Sequence, residues 1–498
     1  MKKMFSFKRG AGVTALMLAA VLMFSGCGAK NTASNGSDYG SEESQGQMIS
    51  GEENQSQVSG GNNSAAQAAN SSKTGGSGQA LNGGTQTSGS TTFGSNPYAN
   101  IPQSAKSKSV HVLMWRNYTP LEQKLVTGFE KKTGIKVRTT KTTENEYATK
   151  LLSLVSGNDS PDVVMIESAD YPGVAMRSLQ ILDPTVYKLS DSFWYKPYMD
   201  VFKANGKSFA VSARGPWATE DTNYVTYYKP SVLKNSGISE DPWTLYKQGK
   251  WNWDKQKEIA TKIKQKGSGY IGLSLQNQDL LMYSTGTDLV SYNGKQFKST
   301  LSNSATTSLI TKAWQQVAAF HKDGISSDWN LSAVQQGKVG LFSAIAYGMY
   351  NASTDAWFTN VPHTSADIKA VPVAGPKGST AYTPVRVKAW GTAKNAKNPV
   401  GAAYFMRYFL DTKNCDMAGS FYNEQFREVY NTITSASAKK SIMRGEGVID
   451  YVSAGTYGGI CNDLLNSTAE QITSVLNASK GKMNTGINRA NKELKKIG

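Results

Sequence analysis

Eleven residues of the 498-residue chain carry the side chains that binding chemistry would use: Trp115, Arg116, Glu144, Glu167, Asp170, Arg214, Trp217, Gln276, Tyr347, Arg386 and Trp390. Indole and phenol rings stack on the apolar C–H face of a pyranose. Guanidinium, carboxylate and amide groups supply planar, paired hydrogen bonds to its hydroxyls. Trp115, Glu167, Arg214, Gln276, Tyr347 and Trp390 stand at the centre of this reading. Each residue also has a structural role open to it. A tryptophan at a strand end is core as readily as pocket, and Glu144 also suits a helix N-terminus. Trp251 and Trp253 read as packing, and Trp314, on an amphipathic helix, as core.

Other chemistries fit poorly. Gly267-Ser268-Gly269-Tyr270-Ile271-Gly272 satisfies G-x-G-x-x-G, but it closes a helix and enters a strand, the reverse of a dinucleotide site. Asn205-Gly206-Lys207-Ser208 imitates the end of a phosphate loop, with Val201 where its first glycine belongs. No G-x-S-x-G elbow occurs in the folded part. His111, His321 and His363 lie far apart without metal-ligand spacing, and His111, inside a strand, reads as structural. No metal and no cofactor are expected. A pair of cleft carboxylates hydrolysing a glycan stays open as an alternative.

The elements that must hold these residues follow from hydrophobic period and cap chemistry. Val110–Trp115 reads as a strand. Thr119 caps a helix with Pro120 at its first position, and Gly134 ends it. Ile135–Thr140 is a strand, a helix carries Tyr147, Leu151, Leu154 and Val155, and Asp162–Ile166 is a third strand. This alternation argues a parallel sheet with right-handed crossovers. A second alternation follows, with strands at Tyr224–Tyr228, Tyr270–Leu275, Lys338–Ala344 and Ile368–Val373. Helices lie at Trp253–Lys266 and Ser302–His321. An extended stretch, Thr383–Ala393, returns to the first sheet, and the chain from Asn398 to Lys496 reads as mostly helical. Ligands in such sheets bind beyond the strand ends, where the candidate residues fall.

Residues 31–100 contain 43 Gly, Ser, Asn or Gln out of 70, too little apolar surface to offset chain entropy. A disordered tether over 27–109 is therefore expected, leaving Val110–Gly498, with all ten tryptophans, for the fold. That part carries 46 basic and 32 acidic residues, a net +14, of the chain's +17. Its lysines are scattered rather than interleaved with aromatics, which argues a solvated basic surface and no nucleic-acid partner. Cys27, Cys415 and Cys461 form no C-x-x-C pair; Cys415 and Cys461 are open to either a bridge or two buried thiols. Residues 1–26 read as an export signal: a basic start, the apolar run Ala11–Phe24, then Ser25 and Gly26. Phe24-Ser25-Gly26-Cys27 resembles a bacterial lipobox, although leucine is usual where Phe24 stands. Lipidation of Cys27 would anchor the protein at the extracytoplasmic face of the cell membrane.

Several further motifs occur in a telling order. They are Phe129-Glu130-Lys131-Lys132-Thr133-Gly134-Ile135-Lys136-Val137, Ser156-Gly157-Asn158-Asp159-Ser160-Pro161-Asp162-Val163-Val164 and Tyr227-Tyr228-Lys229. Trp251-Asn252-Trp253-Asp254, Gly337-Lys338-Val339-Gly340-Leu341 and Lys397-Asn398-Pro399 complete the series. In that order they resemble the family 1 extracellular solute-binding proteins, the capture components of ABC importers. The resemblance spans Val110–Gly498. It implies an α/β fold of the two-lobed, periplasmic-binding-protein-like type II class, with discontinuous lobes around a hinge and a helical C-terminal tail. The expected lobes are 110–215 with 375–412, and 216–374 with 413–498. It further implies a carbohydrate ligand, most often a mono- or oligosaccharide, importer permease subunits as partners, and no catalysis. A non-sugar solute, anionic or amine, is the alternative within the same fold. Arg116, Arg214 and Arg386 converging in one cleft without carboxylate partners would favour an anion; Glu167 and Asp170 paired with them would favour a neutral polyol.

Overall fold

The computed structural model describes residues 90–144, 146–215, 222–349, 367–414 and 421–497. The export signal, Cys27, Trp217, Tyr350, His363 and Cys415 lie outside them. No helix of the described residues is long and apolar enough to cross a membrane.

Thr119 opens the helix Pro120–Thr133 through a reciprocal capping box. The Glu122 amide donates to the Thr119 hydroxyl at 3.2 Å, and the Thr119 amide donates to the Glu122 carboxylate at 2.7 Å. Gly134, at φ 76°, ends it in the left-handed conformation that glycine adopts without steric cost. Val110–Met114 and Val137–Lys141 pair in parallel, and a parallel bridge from Val112 to Val163 carries the sheet toward Val164–Glu167. Lys388–Gly391 runs antiparallel to Val164–Glu167 and also pairs with Ala210–Val211. Alternation along the first strand sends Val112 and Leu113 to different cores. The Val112 side packs with Leu125, Phe129 and Phe405 of helices Pro120–Thr133 and Pro399–Phe409. The Leu113 side joins a larger core that runs on to Trp314 and Phe342.

Asp162 fastens one end of this sheet, accepting from the amides of His111 at 2.8 Å and Asn398 at 2.6 Å. His111 is buried, its ring bonded to the Thr140 hydroxyl at 2.7 Å, and burial with Arg138 nearby lowers its pKa.

The second sheet has five strands in the spatial order Ser326–Asp328, Ile271–Leu275, Val339–Ile345, Tyr224–Tyr228, Lys369–Pro372. The second alternation in the sequence suggested strands running one way, but the sheet is mixed: Tyr224–Tyr228 opposes both of its neighbours. Tyr224 lies at the cleft and starts its strand, whereas Ile345 lies at the cleft and ends its strand. A strand that receives the chain from the first sheet leaves the cleft, while the others approach it.

Two further differences bear on later sections. Residues 90–109, expected in the tether, lie on the fold. Phe93 packs edge-on against Tyr404 at 5.8 Å and Trp194 at 6.1 Å, Tyr98 meets Tyr408 at 5.7 Å, and Ile101 and Ala105 are buried. The polar composition of the window hid these apolar anchors. The C-terminal segment, expected to be helical, also contributes the strand Lys440–Ile442, paired in parallel with Thr383–Val385. Its helix Gly445–Ile449 lies against Ser168–Asp170, and its last helix, Ile472–Lys495, against Phe297–Ser299.

Candidate functional site

A cleft of about 740 Å³ opens where the ends of both sheets face one another. From the first sheet come Trp115–Pro120 and Glu122 after the first strand, Lys141 at the end of the second with Thr142–Glu144 after it, and Met165 and Glu167 from the third. Lys388 and Trp390, on the returning strand, and Phe409 complete that wall. Thr222, Tyr224, Gln276, Ile345 and Tyr347 face them from the second sheet, with Arg386 where the chain passes back.

Eight of the eleven expected residues line this cleft: Trp115, Arg116, Glu144, Glu167, Gln276, Tyr347, Arg386 and Trp390. Asp170 sits one turn beyond Glu167 and does not line it. Its carboxylate accepts from the Glu167 amide at 2.7 Å, and it borders a smaller cavity of about 60 Å³ instead. Arg214 is turned away. It borders a separate pocket of about 830 Å³ beside Tyr195 and Arg407, its guanidinium 5.1 Å over the Tyr195 ring and bonded to the Thr434 carbonyl. Trp217 lies outside the described residues. Trp251, Trp253 and Trp314 are buried, as expected of packing residues. So are Tyr227 and Tyr228, and Asn277 and Gln278 after the second-sheet strand.

The aromatic walls are held rigidly. Trp115 meets Tyr147 edge-on at 6.0 Å, and the Tyr147 hydroxyl bridges the Leu113 carbonyl at 3.3 Å and the Met165 amide at 3.0 Å. Trp390, 4% exposed, packs against Phe409, and its buried indole N–H finds no acceptor among the described residues. The Gln276 side-chain amide oxygen accepts from the Ile345 backbone amide at 3.2 Å.

The arginines of the cleft have carboxylates beside them. Arg116 makes two bonds to Glu122, at 2.6 and 3.0 Å, the fork-to-fork geometry that planar groups favour. That glutamate also closes the capping box, so one side chain sets both the helix start and the guanidinium. Arg386 donates to Glu446 and lies 3.6 Å from Glu167. Burial pushes Glu446 up to about 7 against the pull of Arg386. Burial likewise pushes Asp170 up to about 7, against the bond from the Glu167 amide and aided by the Glu167 charge. Asp279, buried at the start of the helix Leu280–Ser284, is raised by burial and bonded to the Tyr457 hydroxyl at 2.7 Å. Behind the cleft floor at Arg386, burial thus holds two of the surrounding carboxyl groups, Asp170 and Glu446, partly protonated near neutral pH.

Tyr118, Glu122, Lys141, Tyr224 and Lys388, which line the cleft, and Glu446, which borders the smaller cavity with Asp170, were not among the expected site residues. For Glu122 a signal existed, the Thr119-x-x-Glu122 spacing of a capping box. Glu446 lies 60 positions from Arg386 and left none.

The bacterial extracellular solute-binding protein family matches residues 116–414, more than half of the chain, and the chain belongs to that family. Among solved structures it is similar to the GacH receptor of Streptomyces glaucescens, whose complexes include one with acarbose. The TM-score is 0.55 at 17% identity, covering 76% of this chain and 99% of that one. An ABC substrate-binding protein from Listeria monocytogenes in complex with cycloalternan gives 0.56 at 16% identity over 76% and 99%. The Bifidobacterium longum protein that binds galacto-N-biose and lacto-N-biose I gives 0.58 at 14% over 77% and 97%. At such identities the likeness is one of fold, two α/β lobes facing across a cleft. Among curated proteins, no sequence matches the chain.

Proposed function

We propose that the protein captures a carbohydrate, of oligosaccharide size, in the cleft between the sheets and delivers it to the permease of an ABC importer. One observation carries this reading: the cleft combines aromatic walls with arginines already engaged by carboxylates, Arg116 by Glu122 and Arg386 by Glu446. Such a site keeps both of its guanidiniums engaged and has many oriented donors and acceptors to offer hydroxyls. A volume of about 740 Å³ suits a ligand of several rings. The solved relatives named above bind acarbose, cycloalternan and a disaccharide, which supports the same class. Arg214 lies outside the cleft, so the arginine convergence that would favour an anionic solute is missing.

The mechanism is capture without covalent chemistry. Ligand contacts both walls only when they close, so closure is favoured by the difference in affinity between the two states. The lobes that move are 110–215 with 375–412, and 216–374 with 413–498. Cys27 carries the lipid that holds the protein outside the membrane. Thermal unfolding in the presence of mono- and oligosaccharides tests the reading, with amino acids, phosphate and polyamines as controls. A ligand at 100 times its Kd adds about 2.7 kcal/mol of stability. Stabilisation by a sugar, with the sugar recovered unchanged, is expected. Stabilisation by charged controls alone refutes the carbohydrate assignment.

A further inference from the structure

Three segments distant in sequence join to make one basic face. The hairpin Lys203–Ser208 and the hairpin Val290–Ser299 meet through the Asn205 amide, which donates to the Gly294 carbonyl at 3.2 Å. The end of the last helix locks onto both. Asn491 exchanges two bonds with the Phe297 backbone at 2.7 and 2.9 Å, and Lys207 donates to the Ile497 carbonyl at 2.7 Å. The hairpins bring Lys203, Lys207, Lys295 and Lys298 to this face. The helix end adds Arg489, Lys492, Lys495 and Lys496. Against these eight cations the same segments and the turn before them set two carboxylates. Asp200 is paired with Lys203 at 2.5 Å, and Glu493 with Lys496 at 2.7 Å and Arg489 at 3.7 Å.

One other lysine-rich element, by contrast, has carboxylates within ion-pair distance of most of its lysines. On the helix Trp253–Lys264, Lys255 and Lys262 lie 2.6 and 2.9 Å from Glu258, and Lys257 lies 3.4 Å from Asp323. Where the two hairpins meet the last helix, two carboxylates face eight cations.

We propose that this face docks the folded body onto an anionic lipid bilayer. Seven of its eight cations are lysines, a residue depleted from protein interfaces, where aromatic and arginine anchors dominate. The large exposed apolar residues of the described chain are Ile181 and Val452, and neither belongs to it. A lysine-rich surface without anchors suits a fluid anionic plane, which asks for charge rather than shape. The proposal goes beyond sugar capture. From the lipid-anchor reading it takes only the place where the body resides: the anchor tethers the chain, and the polybasic surface orients the folded body on the bilayer.

The test uses the mature chain from Cys27 onward with Cys27→Ser, so that no acyl group contributes. Flotation compares vesicles of phosphatidylglycerol mixed with phosphatidylcholine against phosphatidylcholine alone, at low and high salt. Binding to the anionic vesicles at low salt, lost at high salt, is expected. At about five-fold per basic residue, changing Lys295, Lys298, Lys492 and Lys495 to Glu together should lower partitioning by at least about a hundred-fold. An equal change of net charge at Lys124, Lys131, Lys234 and Lys250, exposed on other elements, should lower it far less. Unchanged melting temperatures show that both variants fold. Equal binding to both vesicle types, equal losses in the two variants, or capture of soluble polyphosphate with no vesicle binding overturns the proposal. Failure to bind any sugar leaves these outcomes untouched, so the two readings fail separately.

Discussion

Replacing Arg386 by methionine should destabilise the protein far more than replacing its partner Glu446 by glutamine, and the gap should narrow as pH falls. Arg386 donates to Glu446 and lies 3.6 Å from Glu167, with Asp170 and Asp279 close enough to feel its charge. Methionine would leave those carboxyls together without a cation, and breaking a buried pair from one side costs about 3–5 kcal/mol. Over about 400 residues the entropy of unfolding is about 0.8 kcal/mol/K, so the melting temperature should fall by about 4–6 °C. Glu446 is pushed to about 7, so glutamine at neutral pH replaces a side chain already about half neutral. That exchange should cost less than about 1 kcal/mol.

The pH dependence has a definite sign. Glu446 and Asp170 have folded pKa values of about 7, above those of the unfolded chain, so the folded state holds extra protons in between. Their contribution to stability is full below the unfolded pKa, near 4, and is lost as pH rises through about 7. Without Arg386 both carboxyls rise further, and the loss with rising pH steepens. Thermal and urea unfolding of both variants at pH 5.5 and 8 reads this directly. Equal losses in the two variants, or a methionine deficit that does not shrink at pH 5.5, would refute the account of the floor.

Three shorter predictions follow from other parts of the structure. Trp115→Ala should weaken sugar binding by at least about ten-fold while leaving the fold intact, since its ring is half-exposed on the cleft wall; calorimetry giving an unchanged Kd removes Trp115 from the site. Gly447→Ala would place a methyl group 2.0 Å from the Ala169 carbonyl oxygen and 2.8 Å from that of Tyr171, both rigid backbone. It should cost more than about 3 kcal/mol, and near-normal denaturant unfolding would show that the helix Gly445–Ile449 packs elsewhere. Phe93→Ala should cost about 2 kcal/mol, because that ring fastens the segment before the first strand to Tyr404 and Trp194; no loss of stability would mean that residues 90–109 do not belong to the fold.

What the sequence disclosed was whatever depends on near neighbours. The capped start at Thr119, the stop at Gly134 and the run Val110–Met114 are written in adjacent residues, and the structure follows them. Strand-end positions also told where the cleft lies, because a sheet's polarity follows from its crossovers. Pairings across long separations were not legible. Nothing near Arg386 announces Glu446, and nothing in Tyr224–Tyr228 says that it opposes its neighbours. Short strands such as Ala210–Val211 carry too few residues for a period to show, so the direction of Arg214 just beyond them could not be read.

On the function proposed above, the pairing that stayed hidden would also make the cleft selective. Glu167 occupies two positions at once: it lines the cleft and it faces Arg386, whose other partner, Glu446, belongs to the C-terminal segment. A neutral polyol that bonds to Glu167 leaves the charge balance of the floor unchanged. An anion would confront Glu167 and would have to compete with Glu446 for the guanidinium, exposing a buried carboxyl to a cost of several kcal/mol. An amine would find a carboxylate, but one whose charge Arg386 already shares. On that reading, discrimination against charged solutes would come from the penalty they meet at the floor, and the aromatic walls would read the apolar faces of the sugar.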